Sequence, residues 1–244
     1  MQTVIDGILI NYEVLGNKNT KTILILHGWK NSLKNWESIA KNLANKFKVV
    51  LIDLPGFGAS SVPKNQPFDT FDYAETVMKF IEKLNLKNIT LIGHSFGGKT
   101  GIVVASKNNK IDKLILVDAS GINSKSLVTL LKIYLSKTVK LIFPKNLAAK
   151  VSASLSSEDY KTAGNLKDSF KKIVTQDISE NAKKIKIPTL IIWGENDKDV
   201  PLTSAKVLKN IIPNSSLRIV WKAGHHPHLE KPEKFLETVE EFLL

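Results

Sequence analysis

Three stretches far apart in the chain could together make a reactive alcohol. The first is Gly93-His94-Ser95-Phe96-Gly97-Gly98, the second Gly194-Glu195-Asn196-Asp197-Lys198-Asp199-Val200-Pro201, and the third Gly224-His225-His226-Pro227-His228. A serine hydroxyl is a poor nucleophile until a base takes its proton, and an imidazole does so best when an acid fixes its tautomer. Ser95 is the candidate nucleophile. Glycines two positions to either side leave room for a tight turn that lifts the hydroxyl out of the backbone. Of the five histidines, His225 is the preferred base, because Gly224 permits a sharp turn that aims the next side chain back; His226 and His228 are the alternatives. Asp197 is the preferred acid. Asp199 and Glu195 read as ordinary loop acids, and Asp118 is a possible substitute.

An acyl-transfer reaction also needs donors for the developing oxyanion. The Phe96 amide would lie at a helix N-terminus, and the Trp29 amide in His27-Gly28-Trp29 would supply a second donor, with Gly28 allowing close backbone approach. The remaining histidines, His94 and His226 among them, are expected to line the pocket or hold its loops.

These residues must be carried to one place by the elements between them. Residues 4–14 read as two strands joined at Asp6-Gly7, a favoured hairpin turn. Continuous apolar runs at 22–26, 49–52, 89–92, 114–117 and 189–193 read as strands buried on both faces, with a further strand at 217–221. Helical spacing lies between them, at 36–47, 71–84, 96–106, 204–211 and 232–244. Alternation of this kind predicts a mainly parallel sheet covered by helices, with ligands bound beyond the carboxyl ends of the strands. Every histidine falls at or just after a predicted strand end. From 121 to 186 the alternation stops and only helical stretches appear, including an apolar one at 127–143. The expected organisation is therefore a core of residues 1–120 and 187–244 with a helical cap, or lid, of residues 121–186.

Composition sets the outer bounds. The chain has 244 residues, 43% hydrophobic and 24% charged, which excludes a disordered chain. At this size roughly 70% of the unfolded surface is buried on folding. With no cysteine there is neither a disulfide framework nor a thiolate metal site. No apolar run approaches a membrane span, and the N-terminal stretch lacks the pattern of a secretory signal, so a cytoplasmic protein is expected. The net charge is +12, yet Arg218 is the single arginine. Surfaces that read phosphates and bases favour arginine, so nucleic-acid binding is not expected. Residues 122–186 hold 13 lysines against five acidic residues. A solvated, lysine-rich surface is the plainer reading of that bias; selection of acidic substrates, or membrane contact by the 127–143 stretch, is the sharper one.

Together these stretches resemble the α/β-hydrolase superfamily over nearly the whole chain. The resemblance rests on Leu26-His27-Gly28-Trp29, on Asp53-Leu54-Pro55-Gly56-Phe57-Gly58-Ala59-Ser60, and on the three stretches above, the last extended to Leu229-Glu230. It implies Ser95, Asp197 and His225 as a triad, the amides of Trp29 and Phe96 as an oxyanion hole, and Gly28, His94 and His226 at the substrate. It further implies a serine hydrolase acting on a small-molecule ester or similar acyl compound, as monomer or homodimer, without metal or cofactor. Serine at the elbow speaks against the haloalkane dehalogenase and epoxide hydrolase branches, which carry aspartate there. Lys30 departs from the small residue or proline often found after His-Gly-Trp. A carbon–carbon bond hydrolase of the meta-cleavage type and a non-catalytic ligand receptor remain as alternatives.

Overall fold

A computed structural model of the chain describes residues 1–64, 67–122 and 162–244. The apolar runs form one eight-stranded sheet. Its strands are β1 (Gln2–Ile5), β2 (Ile8–Leu15), β3 (Thr22–Leu26), β4 (Lys48–Ile52), β5 (Ile89–His94), β6 (Ile111–Val117), β7 (Thr189–Gly194) and β8 (Ser215–Val220), in the order β1-β2-β4-β3-β5-β6-β7-β8. The β1–β2 hairpin turns at Asp6 and Gly7, both at positive φ, as the Asp-Gly pair requires. β2 pairs antiparallel with β4, and from β4 to β8 every pairing is parallel.

Helices cover both faces because the inner strands are apolar on both. Leu24 and Leu26 of β3 face one hydrophobic cluster, with Tyr73 and Phe80 of α2 (Thr70–Lys83) and Ile102 of α3 (Phe96–Lys107). Ile23 and Ile25 face the other, with Ile39 and Leu43 of α1 (Glu37–Leu43) and with Phe235 and Val239 near the C-terminus. Full burial of each such side chain stabilises the fold by about 1.5–3 kcal/mol. The helix expected over 36–47 is shorter. A 3₁₀ turn at Leu33–Trp36 precedes α1, and the chain leaves the helix after Leu43 so that Lys48 can enter β4.

Of the expected 121–186 block, residues 162–186 contain α4 (Lys167–Thr175), α5 (Ser179–Lys184) and no strand. The 127–143 stretch lies outside the described residues. Beyond it come α6 (Leu202–Ile211), a short α7 (Pro227–Glu230) that sequence spacing does not announce, and α8 (Pro232–Leu243). No helix among the described residues is long and apolar enough to cross a membrane.

Candidate active site

Ser95 directly follows β5 and directly precedes α3, with φ 50° and ψ −113°. That backbone is costly for a residue with a Cβ and is held by its surroundings. Its amide donates to the Val117 carbonyl at 2.9 Å, and its carbonyl accepts from the amides of Lys99 and Ser120. A Cβ on Gly97 would collide with the carbonyls of Leu26 and His27, and one on Gly93 would sit 2.5 Å from the Gly97 carbonyl. Both glycines are therefore demanded by the crossing of α3 over the ends of β3 and β5. Phe96 opens α3, so its amide is one of the helix's unpaired N-terminal donors.

His225 and Asp197 arrive from loops after β8 and β7. Their side chains meet at 2.8 Å, His225 Nδ1 donating to Asp197 Oδ2. The Asp197 carboxylate is fully buried and the His225 ring nearly so. Its second oxygen, Oδ1, accepts from the amides of Asp199 at 2.8 Å and Val200 at 3.0 Å. Burial pushes the Asp197 carboxyl upward, but the bonds from His225 and Val200 outweigh it and leave it below the usual carboxylate range. With Nδ1 committed to Asp197, the His225 nitrogen left to act on a substrate is Nε2.

The neighbouring acids divide the work. Glu195 Oε2 accepts from the Lys222 amide, steadying the turn before the histidine loop, and Asp199 lies on the cavity wall. Asp118 is fully buried and accepts from the Gly194 amide at 2.9 Å. Burial, reinforced by the charge on Asp197, lifts its carboxyl to about 10, so at neutral pH it is an uncharged acid beside the Asp197–His225 pair.

The histidines pack as a cluster. His94 Nε2 donates to the His225 carbonyl at 2.7 Å, and the His94 ring lies 4.9 Å from the rings of His225, His226 and His228. His228 stacks flat on Trp36 at 4.0 Å. Burial first, and the neighbouring imidazoles second, hold His94 well below the ordinary histidine range and His228 at about 3. His27 Nε2 accepts from the Leu54 amide, which fixes the loop carrying Gly28 and Trp29. A Cβ on Gly28 would sit 2.7 Å from His94 Nδ1. Two groups present ligand atoms within 4.8 Å of one another, His94–His226–His228 and Asp118–Asp197–His225. The second is already closed by the His225–Asp197 bond; in the first His94 Nε2 is spent on the His225 carbonyl, while His94 Nδ1, His226 Nδ1 and both His228 nitrogens have no hydrogen-bond partner among the described residues.

A cavity of about 770 Å³ opens over these residues. Ser95, His225, Gly28, Trp29, Phe96, His94 and His226 all border it. So do residues that sequence reasoning did not single out: Phe170, Ile173 and Val174 of α4, and Ser120. The Trp29 ring packs against Phe57, Phe96 and Phe170, which ties the Gly28 loop, the elbow and α4 into one apolar wall. The signal for α4 is a short amphipathic pattern that does not say which surface it meets. Glu230 also emerges from the structure. Its two oxygens accept from the amides of Gly224 at 2.7 Å and His226 at 3.0 Å, clamping the turn on both sides of His225.

A family model described as the alpha/beta hydrolase fold matches residues 21–155 and 123–232. An uncharacterized hydrolase, YugF, of Bacillus subtilis (strain 168) is 29% identical over 264 residues, covering 98% of this chain and 96% of that protein. Lipase 1 of Psychrobacter immobilis is 26% identical, covering 98% of this chain and 82% of the lipase. Among solved structures, a meta-cleavage product hydrolase from Pseudomonas fluorescens IP01 superposes with a TM-score of 0.77 at 20% identity, over 100% of this chain and 97% of that one, a likeness of fold.

Proposed function

Because the chain belongs to the alpha/beta hydrolase fold family, we propose that it hydrolyses a carboxylic ester or similar acyl bond through Ser95, His225 and Asp197. The observation that carries this reading is the 2.8 Å bond from a nearly buried His225 to a buried Asp197, on a cavity that Ser95 also borders. In the proposed cycle Ser95 Oγ attacks the substrate carbonyl while His225 Nε2 takes the hydroxyl proton. Asp197 accepts the Nδ1–H throughout and stabilises the imidazolium. The tetrahedral oxyanion faces the amides of Trp29 and Phe96; donors of this kind are each worth about 10²–10³ in rate. Collapse expels the leaving group, which takes the proton from His225 and leaves Ser95 acylated. A water molecule then gives its proton to His225 and attacks the ester carbon, and collapse returns the proton to Ser95 Oγ as the acid departs. None of these steps calls for a metal ion or a cofactor.

In this reading the acyl group lies against Phe170, Ile173 and Val174, whose apolar surfaces face the cavity from α4. Residues 121–186 serve as the cap over the core of 1–120 and 187–244. Turnover of p-nitrophenyl esters of increasing acyl length tests the proposal. Hydrolysis that is lost in Ser95→Ala is expected. Inactivity on every ester, joined to cleavage of a ring-opened dione, would replace the ester reading with carbon–carbon bond hydrolysis.

A further inference from the structure

Lys99 is a buried lysine, about 2% exposed, one helical turn beyond Ser95 in α3. Lysine is rarely buried to this degree unless something specific receives its charge. Its Nζ donates to two backbone carbonyls, those of Ile173 and of Gln176, the latter at 2.6 Å. Both belong to the C-terminal end of α4. That helix ends at Gln176 with φ −76° and ψ 126°, so no left-handed glycine turn closes it. Thr175 Oγ1 donates to the carbonyls of Lys171 and Lys172 and the Gln176 amide to that of Ile173 at 3.2 Å, and a cation added at this helix C-terminus is favourably placed against the helix dipole. The acids whose charges reach Lys99 are Asp177, just beyond α4, and Asp69, which caps α2.

The surroundings make this contact a junction. Gly121, where the chain leaves the core after β6, has φ +99°; a Cβ there would sit 2.6 Å from Lys99 Cγ and 3.0 Å from Ile178. The Ile178 amide donates to the Gly121 carbonyl at 3.1 Å, so the chain at Gly121 and the chain at Ile178 are joined beside Lys99. The same helix carries Phe170, Ile173 and Val174 to the cavity.

We propose that Lys99 is a positioning residue, whose side chain closes the C-terminal end of α4 and so fixes the cavity wall relative to the Ser95 elbow. The bonds themselves do not depend on what the cavity binds; the consequence for esters rests on the acyl chemistry proposed above. Other contacts also dock α4, among them the Phe68 amide donating to Ser169 Oγ, the Thr70 amide to Gln176 Oε1, Lys172 Nζ to the Pro67 carbonyl, and the Phe170 ring against Trp29. None of these reaches the carbonyls of Ile173 and Gln176, to which Lys99 brings a charged donor beside the Gln176 amide already on Ile173.

The test is hydrogen–deuterium exchange of the full chain with Lys99→Met, which keeps the apolar stem and removes the donor. Amides of 167–176 are expected to exchange at least 10-fold faster, while those of 89–94 and 189–194 keep the wild-type rate. KM for a long-chain p-nitrophenyl ester should rise at least fivefold, with the acetate ester within about twofold and kcat little changed. Unchanged exchange over 167–176, or acceleration spread equally over the central strands, overturns the proposal. If Lys99→Met does not fold, Lys99→Gln, whose shorter amide cannot reach both carbonyls, is read by the same exchange pattern. Faster exchange of α4 in a protein that cleaves no ester would sustain the Lys99 role and defeat the ester reading instead.

Discussion

His94 Nε2 donates a 2.7 Å hydrogen bond to the His225 carbonyl, so the residue before the elbow serine holds the backbone of the residue proposed as its base. The two loops are thus registered by a bond that needs neither reactive side chain. Burial keeps the His94 ring neutral, and a neutral imidazole with one N–H suits that single carbonyl. His226, by contrast, borders the cavity, and among the described residues its side chain makes no hydrogen bond to the His225–Asp197 pair. His226→Ala is expected to retain kcat within about threefold, whereas His225→Ala loses at least 10³-fold, the scale for a triad member. Equal loss in both would show that the base is misassigned.

Asp118 should act as a neutral group. Its carboxyl is raised to about 10, chiefly by burial, so an amide of the same shape replaces the protonated acid with little electrostatic change. Asp118→Asn is expected to keep kcat/KM within about threefold at neutral pH, while Asp197→Asn, which disturbs the His225 tautomer, costs about 10³–10⁴. A collapse of activity in Asp118→Asn matching that of Asp197→Asn would mean that Asp118 is the working acid.

Much of this site is legible in the sequence, because its residue types are scarce and tied to strand ends. Ser95 sits between an apolar run and a helical pattern, and Gly93 and Gly97 are where a Cβ would collide. The choice of Asp197 over Asp199 and Glu195 is harder, since all three lie in one loop. The structure separates them by turn geometry, Asp197 taking the amides two and three residues on and directing its other oxygen to His225. The cavity wall is not legible. Phe170, Ile173 and Val174 form an ordinary amphipathic stripe, and the contact with Trp29 depends on how a long insertion returns to the sheet. Lys99 is invisible for a different reason. Lysine is ordinarily a surface residue, and its partners here are backbone carbonyls, which no residue type marks.

Glu230 should matter chiefly through geometry. Its carboxylate accepts from the amides of Gly224 and His226, so its removal loosens the turn that aims His225. Glu230→Ala is expected to lower kcat about tenfold with KM nearly unchanged, as read from initial rates with a short ester. A fall confined to KM would contradict the positioning role.

Part of the acid sensitivity, beside that of the buried His94, should trace to His228. In the folded chain its pKa is depressed to about 3 by burial and by neighbouring imidazoles, against an ordinary value of 6.5. Between those values the unfolded chain holds a proton that the folded chain lacks, so stability falls as pH drops from about 6.5 toward 3. His228→Phe keeps a flat ring against Trp36 and removes the titration. Relative to this variant, the wild type is expected to lose about 2 kcal/mol by about pH 5, measured by denaturant unfolding. Parallel pH profiles for the two proteins would refute the assignment.

Lys99 gives the opposite window. Burial lowers its amine from 10.5 to about 8, against the smaller upward pull of Asp177 and Asp69. Below about pH 8 the amine is protonated in both states and the cost of burying the charge is fully present. Between about 8 and 10.5 only the unfolded chain is protonated, and stability rises with pH. The wild type should therefore gain about 2–3 kcal/mol over Lys99→Met across that window, in urea titrations at matched ionic strength. A constant difference would place the amine's pKa near its ordinary value.

The central claim is that the Ser95 hydroxyl is made nucleophilic by His225 and Asp197. Treatment with a fluorophosphonate, followed by peptide mass mapping, asks this of the one atom concerned. The account predicts a single phosphonate on Ser95, absent from Ser95→Ala and at least 10²-fold slower to form in His225→Ala. Wild-type protein that stays unlabelled, or that carries the label on a different residue, would contradict it.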